Sequence, residues 1–232
     1  MTRIKHNLQL IQARIEKAAR RAGRPPEAVR LVAVSKKQPV ELIREAFACG
    51  QTLFGENYPQ EAAEKIARLD RAIAWHFIGH LQSNKAATAA ALFDMVQTVD
   101  RLKIARALDR SLAESGGRIM PILIQVNIGR EPQKAGIAPE DCAGLLKSIL
   151  DLKHLRVRGL MIMPPFHDDP EETRPYFRQT RELASSLCGQ GLLAADGGGV
   201  ELSMGMSGDY ETAIEEGATL VRIGSALFGE RK

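Results

Sequence analysis

Leu31-Val32-Ala33-Val34-Ser35-Lys36-Lys37-Gln38-Pro39 joins a short, unbroken apolar run to a proline placed where a helix would begin. Such a run, with no polar alternation, is the pattern of a strand buried on both faces, as in parallel sheets covered by helices. Proline suits the first helical turn because the N–H it lacks would be unsatisfied there anyway. Residues 40–49 then read as a helix closed by Gly50. The turn between strand and helix contains no glycine. A doubly wound open sheet, the main alternative for such a pair, would usually carry a Gly-rich first turn. Its absence favours a closed barrel.

Working outward, the same alternation repeats. Thr52-Leu53-Phe54 is a second strand, followed by a helix over about residues 59–69, and Ala74-Trp75-His76-Phe77-Ile78 is a third, with a helix starting near Ser83. Phe93-Asp94-Met95-Val96-Gln97-Thr98 is a fourth strand, and Asp100 is placed to cap the next helix, which carries Leu102, Ile104, Ala105 and Leu108. Residues 121–126 and 157–163 give the fifth and sixth strands, with helices over 139–150 and about 170–187. The Gly-rich stretch 189–199 lacks the Lys-Ser/Thr of a phosphate-binding P-loop, so its Asp196-Gly197-Gly198-Gly199 reads as a turn before strand seven, Val200-Glu201-Leu202. Residues 209–216 are helical, Leu220-Val221-Arg222-Ile223 is the eighth strand, and a short last helix starts near Ser225. Eight strand–helix units predict an α/β fold, a (β/α)8 TIM-type barrel forming one domain over residues 1–232. An extra N-terminal helix precedes it, with Ile4, Leu8, Ile11 and Ile15 on one face.

Composition narrows the function classes. The 232 residues carry 32 Lys+Arg against 28 Asp+Glu, a formal charge of +4 with both signs interspersed, which argues against a nucleic-acid partner. No apolar run reaches the roughly 18 residues of a membrane span, so no membrane partner is expected. Cys49, Cys142 and Cys188 are odd in number and far apart, offering neither a CxxC metal or redox pair nor a disulfide framework. A cytoplasmic location is expected. The Arg-rich opening helix is interrupted by Glu16 and stopped by Gly23-Arg24-Pro25-Pro26, which suits a packed helix better than a transit peptide.

In barrels of this kind chemistry gathers where the strands end. Lys36 leaves strand one toward the mouth, where partial desolvation would favour the free amine, the nucleophile that forms an imine with an aldehyde. By position alone, an ordinary solvated lysine is the commoner case. Strand alternation points Lys37 the other way. Ser203-Met204-Gly205-Met206-Ser207-Gly208-Asp209 after strand seven and Arg222-Ile223-Gly224-Ser225 after strand eight are small-residue loops that let backbone N–H groups approach an anion. Arg222, inside an apolar strand, requires either a carboxylate or a ligand. Tyr58, Tyr210, His76 and His80 are polar groups in range of the mouth. Packing for Tyr58 and structural hydrogen bonding for the histidines are their simpler roles.

Several motifs in order carry a family resemblance: Leu31-Val32-Ala33-Val34-Ser35-Lys36, Phe54-Gly55-Glu56-Asn57-Tyr58, Trp75-His76-Phe77-Ile78-Gly79-His80-Leu81-Gln82-Ser83-Asn84-Lys85, Gly159-Leu160-Met161, Leu202-Ser203-Met204-Gly205-Met206-Ser207, and residues 221–229. The chain resembles the pyridoxal-phosphate homeostasis protein family, related to the N-terminal barrel of alanine racemase, almost end to end. The resemblance implies a fold-type-III barrel binding pyridoxal 5′-phosphate (PLP), with Lys36 as the Schiff-base lysine. It further implies that Ser207, Gly224 and Ser225 hold the phosphate, that Arg222 approaches the pyridine nitrogen, and that Asn57 and Met206 lie beside the ring. No catalytic residue and no metal ligand is implied. An arginine at that nitrogen cannot give up its proton, so the ring is a weak electron sink. One departure is Gln38, where many relatives carry a second lysine; any role of that lysine is not carried over.

Two functions follow from such a site: a reversible cofactor carrier, or an amino-acid racemase or decarboxylase. Fold-type-III enzymes are similar to this chain only over the barrel and add a C-terminal β domain that supplies an acid/base and a dimer contact. The sequence ends two residues after Phe228-Gly229-Glu230. The expectation is therefore a monomeric carrier with a water-accessible site, delivering PLP to PLP-dependent apo-enzymes.

Overall fold

The computed structural model describes residues 2–193 and 199–229. Along the chain run α1 (Arg3–Arg21), β1 (Arg30–Val34), α2 (Val40–Ala48), β2 (Leu53–Glu56), α3 (Pro59–Ile66), β3 (Ala74–Phe77), α4 (Ala86–Leu92), β4 (Met95–Val99) and α5 (Leu102–Glu114). They are followed by β5 (Met120–Val126), α6 (Cys142–Ile149), β6 (Leu155–Ile162), α7 (Arg174–Gly189), β7 (Glu201–Ser203), α8 (Tyr210–Glu215), β8 (Leu220–Ile223) and α9 (Ser225–Phe228). The strands pair in sequence order and in parallel, and β8 closes on β1 through Arg30↔Leu220 to Ala33↔Ile223. This is the expected barrel. An open doubly wound sheet would have left two unpaired edges.

Strand alternation builds two apolar layers. Leu31 and Ala33 join the outer core beneath the helices, where Phe54 meets Trp75 at 5.6 Å and Phe77 meets Phe93 edge-on at 5.2 Å. Val32, Met95, Leu123, Met161 and Leu220, with Leu53, come from strands alone and fill the interior. The α1 face is buried as its spacing predicts: Ile4, Leu8, Ile11 and Ile15 are all in the core. Its first turns also tether the C-terminal helix, since Arg3 Nη2 donates to Phe228 O at 2.7 Å and Asn7 Nδ2 to Leu227 O at 2.9 Å.

Several local readings change; β4 starts at Met95, two residues after Phe93, and α3 ends at Ile66. Asp100 does not cap α5; it pairs with the Arg101 guanidinium at 2.6 Å, and Arg101 itself takes the extended cap conformation. β6 starts at Leu155, earlier than its apolar run, with Leu155 and Arg156 paired in register to Met120 and Pro121 and a register shift between Val157 and Gly159. β7 spans Glu201–Ser203, one residue later than expected. The predicted turn at Asp196-Gly197-Gly198 lies outside the described residues. Among the described residues no helix is long and apolar enough to cross a membrane, no cluster of His, Cys, Asp or Glu suits a metal ion, and the cysteines are free thiols.

Candidate cofactor site at the barrel mouth

β1 ends at Val34, and its next residues form a turn instead of continuing the strand. Ser35 N still donates to Gly55 O at 3.1 Å, Gln38 N reaches back to Ser35 O at 3.0 Å, and Lys37 adopts a left-handed φ of 59°. Lys37 therefore lies outside the site because the chain reverses after Lys36, and not through strand alternation. Buried charges clamp this turn. Lys65 Nζ, on α3, donates to Ser35 O at 2.7 Å, to Glu56 Oε1 at 2.7 Å and to Glu61 Oε1 at 2.6 Å. Those contacts satisfy all of an ammonium's donors. Ser35 Oγ also donates to Glu56 Oε1 at 2.7 Å, and Lys37 N to Glu61 Oε1 at 2.5 Å. Burial pushes the Glu56 carboxyl upward, opposed by Lys65 and Ser35. Removing one partner of such a buried pair costs about 3–5 kcal/mol, because the other charge is left uncompensated.

Asn57 follows β2. Gly79 lets the end of β3 pack against it, since a Cβ at that glycine would lie 2.2 Å from Asn57 O. Asn57 Oδ1 is buried with no hydrogen-bond partner.

Across the mouth, Gly205 turns the loop after β7. Its φ is +91°, and a side chain there would meet Ala213 Cβ at 2.6 Å, so only glycine fits. Asp209 Oδ1 accepts from Met206 N at 2.6 Å, and Gly205 O accepts from Arg222 N at 3.0 Å. The loops after β7 and β8 then meet: Ser225 Oγ donates to Ser207 Oγ at 3.2 Å, and Ala226 N donates to the same hydroxyl at 3.4 Å. Gly224 sits against the end of β1, where an added Cβ would be 3.3 Å from Val34 O.

Arg222 is 4% exposed. Its Nη1 donates to Ser203 Oγ at 2.7 Å and its Nη2 to Ile162 O at 2.8 Å. Among the described residues no carboxylate makes an ion pair with it; Asp209 acts on it only through space. Burial pulls the guanidinium down to about 10, partly offset by Asp209, so it stays charged at neutral pH.

All seven sequence-predicted residues, Lys36, Asn57, Met206, Ser207, Arg222, Gly224 and Ser225, line one cavity of about 360 Å³. That volume is in the range of small-molecule sites. Among the further lining residues, Asp209, Met163, Phe166 and His167 carry no site role in the sequence reading. Asp209 could have been suspected as the acid closing a small-residue loop. The others lie on the segment after β6, where Pro164-Pro165 signalled only the end of a strand. The Glu56–Lys65 pair also escaped, although Glu61 and Lys65 share the i,i+4 spacing of a helical ion pair. Tyr58 is half exposed at the start of α3, His80 is exposed, and Tyr210 is buried under the Arg14 guanidinium. None of these three lines the cavity.

A parallel barrel with a lysine at the exit of its first strand, sharing one cavity with small-residue loops after its last two, is a barrel of the alanine racemase type. The family model described as "Alanine racemase, N-terminal domain" matches residues 4–232. The Pyridoxal phosphate homeostasis protein of Pseudomonas aeruginosa is 46% identical over 232 residues, 100% of this chain and 97% of that protein. Its namesake from Aquifex aeolicus is 42% identical over 226 residues, 97% of each. PipY of Synechococcus elongatus, solved with PLP bound, matches with a TM-score of 0.84 at 40% identity, over 97% of this chain and 100% of that one. The chain belongs to the pyridoxal phosphate homeostasis protein family.

Proposed function

We propose that this protein binds pyridoxal 5′-phosphate reversibly and acts in intracellular PLP homeostasis as a carrier or buffer, without substantial turnover of its own. The observation that carries the reading is that Lys36 lines the same cavity as the hydrogen-bonded Ser207 and Ser225 hydroxyls. The walls suit the cofactor: Asn57 Oδ1 is a buried acceptor awaiting a partner. Bound there, PLP would supply an aldehyde carbon for a covalent link, and Lys36 is the amine that takes it. Ser207, Gly224 and Ser225 would receive the phosphate, Asn57 and Met206 would border the ring, and Arg222 would face the pyridine nitrogen.

Arg222 has donors only and keeps its proton at neutral pH. It would therefore leave the ring nitrogen unprotonated and the ring a weak electron sink, which disfavours carbanion chemistry such as transamination; the carrier reading is supported by the full-length relatives named for PLP homeostasis. The same reading takes residues 1–232 as one domain, working as a cytoplasmic monomer with PLP-dependent apo-enzymes as recipients. Borohydride reduction of the PLP-loaded protein followed by peptide mass spectrometry should place the pyridoxyl mass on Lys36, and Lys36→Ala should lose the visible absorbance. The mass on another lysine, or on none, would sink the assignment. Clear racemisation of alanine by the wild-type protein would overturn the carrier reading.

A further inference from the structure

Arg222 is the first member of a hydrogen-bonded chain that crosses the barrel from β8 to β3. Its Nη1 donates to Ser203 Oγ on β7 at 2.7 Å, Ser203 Oγ donates to Gln97 Oε1 on β4 at 2.6 Å, and Gln97 Nε2 lies 2.8 Å from His76 Nδ1 on β3. Every member is buried, with Ser203 and Gln97 at 0% exposure.

The direction of the chain follows from the donor inventory. A guanidinium has no acceptor, so the Ser203 oxygen must accept from it. The single Ser203 proton then goes to Gln97 Oε1, which turns the Gln97 amide nitrogen toward His76. Nδ1 of His76 has to accept, and the ring proton sits on Nε2. A flipped Gln97 amide would present its N–H groups to Ser203 and strand the hydroxyl proton in a dry interior, at the desolvation cost of an unmade bond. The second guanidinium nitrogen is pinned independently by Ile162 O. Two bonds to two different strands fix the guanidinium plane, so its remaining N–H groups have a set direction.

We infer that Ser203, Gln97 and His76 are positioning residues that act through Arg222, fixing the pose in which it meets the cofactor ring, with His76 held as the neutral Nε2–H tautomer. This rests on the reading that Arg222 faces the pyridine nitrogen. Networks of this kind orient a ligand-contacting group much as outer partners orient metal ligands, and their members are coupled instead of additive.

The test is a double-mutant cycle on PLP-loaded protein, with Gln97→Leu, Arg222→Gln and the double variant, read by PLP affinity and the position of the visible band. Gln97→Leu should weaken PLP binding by about two- to tenfold, the worth of one hydrogen bond, and should shift the band. Both effects should vanish in the Arg222→Gln background. ¹⁵N NMR of the wild-type protein should report His76 with its proton on Nε2. If Arg222→Gln changes neither affinity nor band, the reading of Arg222 itself fails and this inference with it. If Arg222→Gln has an effect while that of Gln97→Leu is absent, or persists undiminished in the double variant, only the positioning role is overturned. An Nδ1–H tautomer would overturn the direction of the chain. Ser203→Ala breaks the adjacent link and gives the same cycle should Gln97→Leu fail to fold.

Discussion

His76 brings a titratable ring into a space that tolerates only its neutral form. Burial, and secondarily the charge of Arg30, pulls its pKa from the usual 6.5 to about 3. Below about pH 6.5 the unfolded chain takes up a proton that the folded chain refuses. Stability contributed by the neutral ring is therefore complete above that pH and is lost as pH falls toward 3, at about 1.4 kcal/mol per pH unit. Urea unfolding at pH 7.5, 6 and 5 should show this loss, and His76→Gln should flatten it; equal slopes in both proteins would refute the assignment. At this scale the sequence was legible where a residue conflicts with its surroundings. Lys36 stood out at the end of an apolar strand, and Arg222 stood out inside one. Its sequence context leaves Arg222 between a carboxylate and a ligand, and the fold supplies a hydroxyl and a backbone carbonyl as its direct partners. Glu56 and Lys65 were not legible as partners, because their contact depends on how α3 lies against β2, which no local spacing encodes.

The elements that matter most to the site include one remote from it in sequence. α1 holds the last two residues of α9 through Arg3 and Asn7, and α9 begins at Ser225, one of the proposed phosphate ligands. Asn7→Ala should cost about 1 kcal/mol of stability by urea denaturation and should also weaken PLP binding severalfold. Leu8→Ala should cost about 2–5 kcal/mol by opening a cavity in a packed face. Unchanged PLP affinity in Asn7→Ala would show that α9 needs no tether. The helices and strands themselves were readable from periodicity and punctuation: Pro39, Pro59 and Gly50 mark real boundaries. Errors concentrated where a local preference met a stronger tertiary bond. Asp100 is a good cap by type, but Arg101 beside it claimed the carboxylate.

For the molecule as a whole, closure of the barrel was deduced from eight similar units and from one glycine-free turn, not from any single residue. What the units could not reveal was the polar traffic between strands distant in sequence, such as Gln97 with Ser203. A ligand bound only by the folded barrel must stabilise it by mass action. PLP at a hundred times its Kd should add about 2.7 kcal/mol, raising Tm by roughly 5–10 °C for a chain of this size. Lys36→Ala should show a much smaller rise in the same thermal scan, and an equal rise would place the main binding energy elsewhere. The turn that carries Lys36 is held by Lys65, Glu56 and Glu61, all groups of the scaffold itself. Its order is thus complete before any guest arrives, and arrival surrenders little chain entropy. On the proposed reading, loading and unloading would turn on the Lys36 linkage and the entry of water, with no refolding of the turn that carries it.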